Sequence, residues 1–130
     1  MIEYLSVDQV LTLHALQIRR YGGASALRDR GALDAAVTRP QMTFAGEDLY
    51  PDVAAKAAAL MHSLVMNHPF VDGNKRAGAH AALLFLYANG FESLIARAEL
   101  TRMTVGVAAG EIEAEALAIW LRQRIRPRER

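Results

Sequence analysis

Stop signals recur along this chain at intervals that leave room for one helix each. Gly22-Gly23, Pro40, Asn67-His68-Pro69 and Asn89-Gly90 punctuate segments whose apolar residues follow helical spacing. The first segment predicts a helix from about residue 7 to 21, because Ser6 and Gln9 form a capping box and Val10, Leu13, His14, Gln17 and Ile18 share a face. A short helix over about 32–38 is closed by Pro40. Pro51 in a first-turn position and Asp52 after it start a third helix, with Val53, Ala57, Leu60, Met61, Leu64 and Val65 as a continuous apolar stripe. A fourth begins near Asn74 and runs to about 88, and its small residues predict close, buried packing. Residues 91–94 suit a brief extended piece, 100–108 a fifth helix, and 111–126 a sixth with Glu111, Glu113 and Glu115 early and arginines late, as the helix dipole favours. Residues 41–50 lack a clear period and are expected to form an ordered loop or hairpin. The predicted fold class is all-α, a compact single-domain bundle of about six helices.

A chain of 130 residues has the size of one domain, and 52% apolar against 22% charged residues excludes disordered and low-complexity classes. The absence of cysteine removes disulfides, thiolate metal sites and cysteine nucleophiles together, and fits a reducing compartment, with the cytoplasm as the expected location. No apolar stretch reaches the roughly 20 residues of a membrane helix, so no membrane partner is expected. Arg122, Arg124, Arg126, Arg128 and Arg130 carry five of the 15 basic residues against one of the 14 acidic ones, Glu129, which leaves the remaining body slightly acidic. Direct nucleic-acid binding is therefore not expected, since it draws on many phosphate contacts from a basic surface. The arginine-rich end itself is expected to be a solvated, frayed tail.

The chemistry concentrates in His68-Pro69-Phe70-Val71-Asp72-Gly73-Asn74-Lys75-Arg76, between the third and fourth helices. A histidine can accept a proton near neutral pH, which makes His68 the candidate general base for activating a hydroxyl. Pro69 fixes the loop, Phe70 is expected to turn inward as an apolar anchor, and Asp72 offers a hard oxygen of the kind Mg2+ accepts. Gly73 and Asn74 lead into a helix N-terminus, where backbone N–H groups form an anion nest, and Lys75 and Arg76 add positive charge to it. Cations at that end oppose the helix dipole unless an anion is bound, so their placement argues against an ordinary helix connection. Base, metal ligand and phosphate cradle together describe phosphoryl or nucleotidyl transfer.

These nine residues resemble the signature of the Fic family, and more closely that of its Doc toxin branch. Arg20-Tyr21-Gly22-Gly23, Leu33-Asp34-Ala35-Ala36, Leu83-Leu84-Phe85-Leu86 and Thr104-Val105-Gly106 are similar to Doc segments as well, so the resemblance is close to full length. It implies a Fic/Doc domain over 1–126 followed by a basic tail over 127–130. It further implies a toxin of a toxin-antitoxin module: a kinase using ATP and Mg2+ to phosphorylate a threonine or serine hydroxyl of elongation factor Tu, arresting translation, and held inactive by a cognate antitoxin.

Carried over residue by residue, the resemblance places the base on His68, the anchor on Phe70, the metal-linked carboxylate on Asp72, and phosphate binding on Gly73, Asn74, Lys75 and Arg76. Lys75 stands where nucleotidyl-transferring members carry a second Gly, and Ala79 where they carry a second Arg; both are Doc-like, while Gly73 is the Fic-like choice where Doc motifs have Ala. A side chain at position 75 narrows the nest and offers a cation to a terminal phosphate, which favours phosphoryl transfer over the rival reading, AMP transfer. A third reading is a catalytically silent antitoxin-binding module, which the intact His68 and Asp72 oppose. Thr43, Phe44, Ala45, Gly46 and Glu47 are read as a substrate-clamping flap, because the segment only approaches the family's self-inhibitory pattern.

Outside the motif, His14, His62 and His80 lie among apolar neighbours on predicted helices and form no His pair at metal-binding spacing, so packing roles are expected. Met61, Met66 and Trp120 are likewise read as structural.

Overall fold

The computed structural model describes residues 1–129, and its central element is a helix that is apolar on nearly every side. Ala-rich α3 (Val53–Asn67) buries eleven of its fifteen residues, and a helix without a polar face is satisfied only where other helices surround it. α4 (Asn74–Ala88), α6 (Ala114–Arg122) and α2 (Arg30–Thr38) pack against it, α1 (Val7–Tyr21) lies on α4, and α5 (Arg97–Ala108) touches both α3 and α4. Small residues set the closest of these approaches. A Cβ on Gly78 of α4 would fall 2.7 Å from Val65 Cγ2 and 3.2 Å from the Met61 carbonyl oxygen.

Among the described residues the fold is mostly helical, with six α-helices as predicted. α1 has the predicted bounds, with the Ser6–Gln9 capping box formed and Gly22 beyond its end. α4 also starts and stops where the sequence indicates. At the start of α3 the proline is not the first helical residue. Asp52 is the N-cap, its carboxylate accepting from the Ala55 N–H at 2.8 Å, and Pro51 precedes it. Pro40 does not end helical structure either. Its fixed φ suits the short 3-10 turn Arg39–Gln41 that extends α2.

The sixth helix is shorter than predicted, and the reason is strand pairing. Residues 111–113 form a turn in which the Glu111 and Ile112 N–H groups donate to the Gly106 carbonyl. After Arg122 the chain leaves helical conformation, and β4 (Ile125–Pro127) pairs antiparallel with β3 (Phe91–Ser93), matching Glu92 with Arg126. A β-branched residue followed by a proline two positions on suits an edge strand better than a helix end. The expected frayed tail is thereby corrected as far as it is described: Arg126 and Glu92 form an ion pair, the Arg128 N–H donates to the Gly90 carbonyl at 2.7 Å, and the Arg128 guanidinium stands 4.0 Å over the Tyr87 ring. Arg130 lies outside the described residues. The fifth helix starts at Arg97, ahead of the predicted residue 100, because Glu99 caps the Ala96 N–H.

Residues 41–50 contain the anticipated hairpin, with β1 (Thr43–Phe44) and β2 (Glu47–Asp48) joined through Ala45 and Gly46, both at positive φ as a two-residue hairpin turn requires. Its base is fixed by Lys56, a lysine 1% exposed within α3, whose Nζ donates to the Pro40 carbonyl and to Asp48 Oδ2, each at 3.2 Å.

Candidate active site

The candidate site forms where α3 gives way to α4. α3 ends at Asn67, and His68 takes the left-handed conformation, φ 48° and ψ 58°, that turns the chain out of the helix. Pro69 follows and cannot continue the helix. Phe70 then enters the core at 1% exposure, while His68, Val71 and Asp72 stay on the surface. Gly73, at φ 80°, swings the chain into α4. The positive φ favours glycine, and a Cβ there would come within 3.2 Å of Ile18 Cδ1 and 3.3 Å of His14 Nε2, so a larger residue would need those side chains to shift.

Asn74 holds this loop closed. Its Oδ1 accepts from the Phe70 N–H at 3.0 Å, its Nδ2 donates to the Phe70 carbonyl at 2.9 Å, and the same Nδ2 lies 3.4 Å from His68 Nδ1. The Asn74 side chain is buried and committed to the loop, which leaves its backbone N–H at the start of α4 as its free donor. Asp72 is fixed from another side, its Oδ2 accepting from the Ala24 N–H at 2.8 Å.

His14 is the residue that the sequence most undervalues. Its ring is buried and stacked on Phe70, and its Nε2 lies 2.7 Å from the Asp72 carbonyl oxygen, to which it donates a proton. A packing role was expected, and the ring does pack, but what it packs is the motif. Helical register offered the signal: His14, Ile18 and Tyr21 share the α1 face that meets the N-terminal end of α4.

At that end no side chain caps the helix, and the first intrahelical bond runs from the Ala77 N–H to the Gly73 carbonyl. The N–H groups of Asn74, Lys75 and Arg76 therefore converge at the positive end of the helix dipole. Lys75 and Arg76 are exposed beside them, and the Arg76 guanidinium stands 4.7 Å over the Tyr21 ring, which steadies it. A cavity of about 620 Å³ opens here between α4 and α5. Ala79, Leu83, Ile95 and Leu100 supply apolar lining, while Lys75, Arg76 and Arg97 contribute charge and no acidic residue takes part. The pKa of His80, on the same wall, is pushed below the ordinary histidine value first by partial burial and then by Arg97 and Arg20.

The donor set limits which metal fits. Among the described residues no three His, Cys, Asp or Glu side chains cluster at ligating distance. A single carboxylate beside a phosphate nest suits Mg2+, which keeps several waters and takes substrate phosphates as ligands. The structure thus brings His68, Phe70, Asp72, Gly73, Asn74, Lys75 and Arg76 into one loop and helix start. Thr43, Phe44, Ala45, Gly46 and Glu47 stand apart on the exposed hairpin, and among the described residues no hydrogen bond joins them to the motif.

Comparison with known proteins agrees with this geometry. The sequence model described as the Fic/DOC family matches residues 4–86, which include α1 and the whole motif. Over 92 residues the chain is 50% identical to Toxin Doc of Mycolicibacterium smegmatis, covering 71% of this chain and 68% of that protein. Over 122 residues it is 34% identical to Protein kinase doc of Escherichia phage P1, covering 94% of this chain and 95% of the relative.

Proposed function

Since this chain belongs to the Fic/DOC family, we propose that it is a Doc-type toxin: a protein kinase that moves the γ-phosphoryl group of ATP to a threonine or serine hydroxyl. The observation that carries this reading is the uncapped start of α4, where three N–H groups, Lys75 and Arg76 converge on a helix whose Asn74 side chain lies 3.4 Å from the exposed His68 ring. His68 takes the proton of the attacking hydroxyl as the new O–P bond forms and the bond from the γ-phosphorus to the bridging oxygen breaks, so that ADP leaves. The α4 N-terminus, Lys75 and Arg76 hold the phosphates and oppose their developing charge. Asp72 is the residue that would hold Mg2+, which, when bound, neutralises phosphate charge.

The target proposed from the resemblance is elongation factor Tu, which sets the site of action in the cytoplasm; among the described residues no helix is long and apolar enough to cross a membrane. The hairpin serves as the flap that clamps the target. In support, Phe44 is 76% exposed and the two short strands offer free edges for an extended segment to pair with. A cognate antitoxin is the regulatory partner. The cavity's apolar lining and cationic rim suit a segment that presents apolar and acidic side chains, laid across the mouth of the nucleotide site.

The deciding experiment is the intact mass of elongation factor Tu after incubation with the purified protein, ATP and Mg2+. A gain of about 80 Da is expected for a phosphoryl group, whereas about 329 Da would identify AMP transfer instead. An unchanged mass, with the target known to be modifiable, would remove the kinase reading.

A further inference from the structure

We propose that Arg28 is a positioning residue for His68, a guanidinium clamp that locks the end of α3 and thereby fixes the imidazole for proton transfer. The proposal rests on the reading of His68 as the base.

His68 occupies the left-handed conformation, which is unfavourable for a residue with a Cβ and persists only where the surroundings enforce it. Arg28 supplies that enforcement. Its Nε–H donates to the His68 carbonyl at 2.6 Å and its Nη2–H to the Asn67 carbonyl at 2.9 Å. These two oxygens lie at the end of α3, where intrahelical partners run out and the dipole favours a cation. The backbone of the same segment reinforces the grip. The N–H groups of Arg28 and Asp29 both donate to the Pro69 carbonyl, at 2.7 and 3.0 Å, and the Val71 N–H donates to the Ala26 carbonyl at 3.0 Å. Leu27 and Phe70 face each other as an antiparallel bridge. The position of Arg28 is itself set by α2, because Asp29 is that helix's N-cap and accepts from the Ala32 N–H at 3.0 Å.

Two features separate positioning from bulk stabilisation. The Arg28 side chain is exposed, and among the described residues its hydrogen bonds go only to the two carbonyls that flank the turn at His68. The phosphate nest is held by other bonds, those of Asn74 to Phe70 and of His14 to Asp72. Losing Arg28 should therefore slow proton transfer without weakening ATP binding. Two donors on consecutive carbonyls also use the planar fork of a guanidinium, which an ammonium cannot reproduce.

The test compares Arg28→Gln and Arg28→Lys with the wild-type protein. The expected result is a kcat for target phosphorylation about tenfold lower in Arg28→Gln, with KM for ATP within about twofold and an intermediate kcat in Arg28→Lys. A parallel measurement needs no turnover: the ring Cε1–H resonance of His68 should shift and broaden in Arg28→Gln while those of His62 and His80 stay in place. An unmoved His68 resonance, an unchanged kcat, or a rise in KM for ATP that accounts for the whole loss would overturn the proposal. So would loss of cooperative folding in both variants, which would make Arg28 a brace for α3. If the wild-type protein modifies no target, the kinase reading fails on its own, and the resonance comparison still decides whether Arg28 fixes the His68 ring.

Discussion

The imidazole of His14 lies flat against the phenyl ring of Phe70, with centroids 3.6 Å apart and planes 5° from parallel, while its Nε2 donates to the Asp72 carbonyl oxygen at 2.7 Å. One side chain of α1 thus holds both the buried anchor and the exposed carboxylate residue of the motif. His14→Phe retains an aromatic face but leaves that carbonyl without its donor, so a stability loss of about 1 kcal/mol is expected. The larger effect should fall on Asp72, whose backbone is released: target modification needs a higher Mg2+ concentration to reach half its maximal rate. Unfolding temperature and a Mg2+ titration of the transfer rate check both parts, and an unaltered Mg2+ requirement would show that His14 only packs.

The sequence carries the helices well because their boundaries are local. Ser6, Gln9, Gly22, Asn74 and Asn89 act within a turn of where they stand, and α1 and α4 have the bounds these residues imply. The strand β4 was illegible because its partner, β3, is more than thirty residues away, and nothing local to Ile125 announces the pairing. The motif likewise disclosed its own residues but not their supports. Ala24 and His14 reach Asp72 only through tertiary packing, and the bonds that close the Asn74 carboxamide on the Phe70 backbone depend on the conformation of the loop. Lys56 shows the same limit: nothing local to it announces that Asp48 and the Pro40 carbonyl are brought to its Nζ.

The contact of α3 with α4 leaves no room at Gly78. A methyl group there would press against Val65 Cγ2 and the Met61 carbonyl oxygen, the second of which is backbone and cannot turn aside. Gly78→Ala should cost about 1 to 3 kcal/mol despite the better helix propensity of alanine. A lower midpoint of denaturant unfolding is the expected reading, and a higher one would mean that the two helices separate easily.

Asp52 joins two helices, capping α3 through the Ala55 N–H and receiving Nε–H and Nη2–H of Arg122 from the end of α6, at 2.7 and 3.0 Å. The hydrogen bonds from Arg122 lower the Asp52 pKa below the ordinary value near 3.8, against an opposing push from burial. The folded state therefore favours the ionised form. Its stabilisation is complete above the ordinary value and is lost as the pH falls through the lower, folded one. Both side chains are nearly half exposed, so solvent screens the pair, and Asp52→Ala should cost only about 1 to 2 kcal/mol at neutral pH, most of it from the cap. Thermal unfolding should show the gap between wild type and Asp52→Ala shrinking as the pH falls below the ordinary value near 3.8. A gap that widens in acid would contradict the assigned direction.

For His68 the fold and the proposed chemistry make opposite demands. A left-handed residue without catalytic duty is best glycine, so His68→Gly should be more stable than His68→Ala by about 1 kcal/mol, while neither transfers phosphate. The pair separates loss of the base from loss of the fold. Comparable transfer by either variant and the wild-type protein, read from target mass, would remove His68 from the base assignment.

Lys75 offers the sharpest distinction between the two transfer chemistries. It stands on the exposed first turn of α4, at the lip of the cavity and next to Arg76. On the proposed reading its side chain narrows the approach to the nest and offers a cation to a terminal phosphate. Lys75→Gly removes both effects: backbone can approach the bridging phosphates more closely, and the charge that favours the γ-phosphate is gone. Phosphoryl transfer should drop at least about tenfold, and a product heavier by AMP should appear, since each lost charge-assisted contact to a phosphate is worth roughly 1.5 to 3 kcal/mol. Nucleotide affinity should weaken and persist, because Arg76 remains, steadied over Tyr21. Undiminished phosphorylation by Lys75→Gly, with no AMP product in the target mass, would show that the selectivity for phosphoryl transfer does not reside in this side chain.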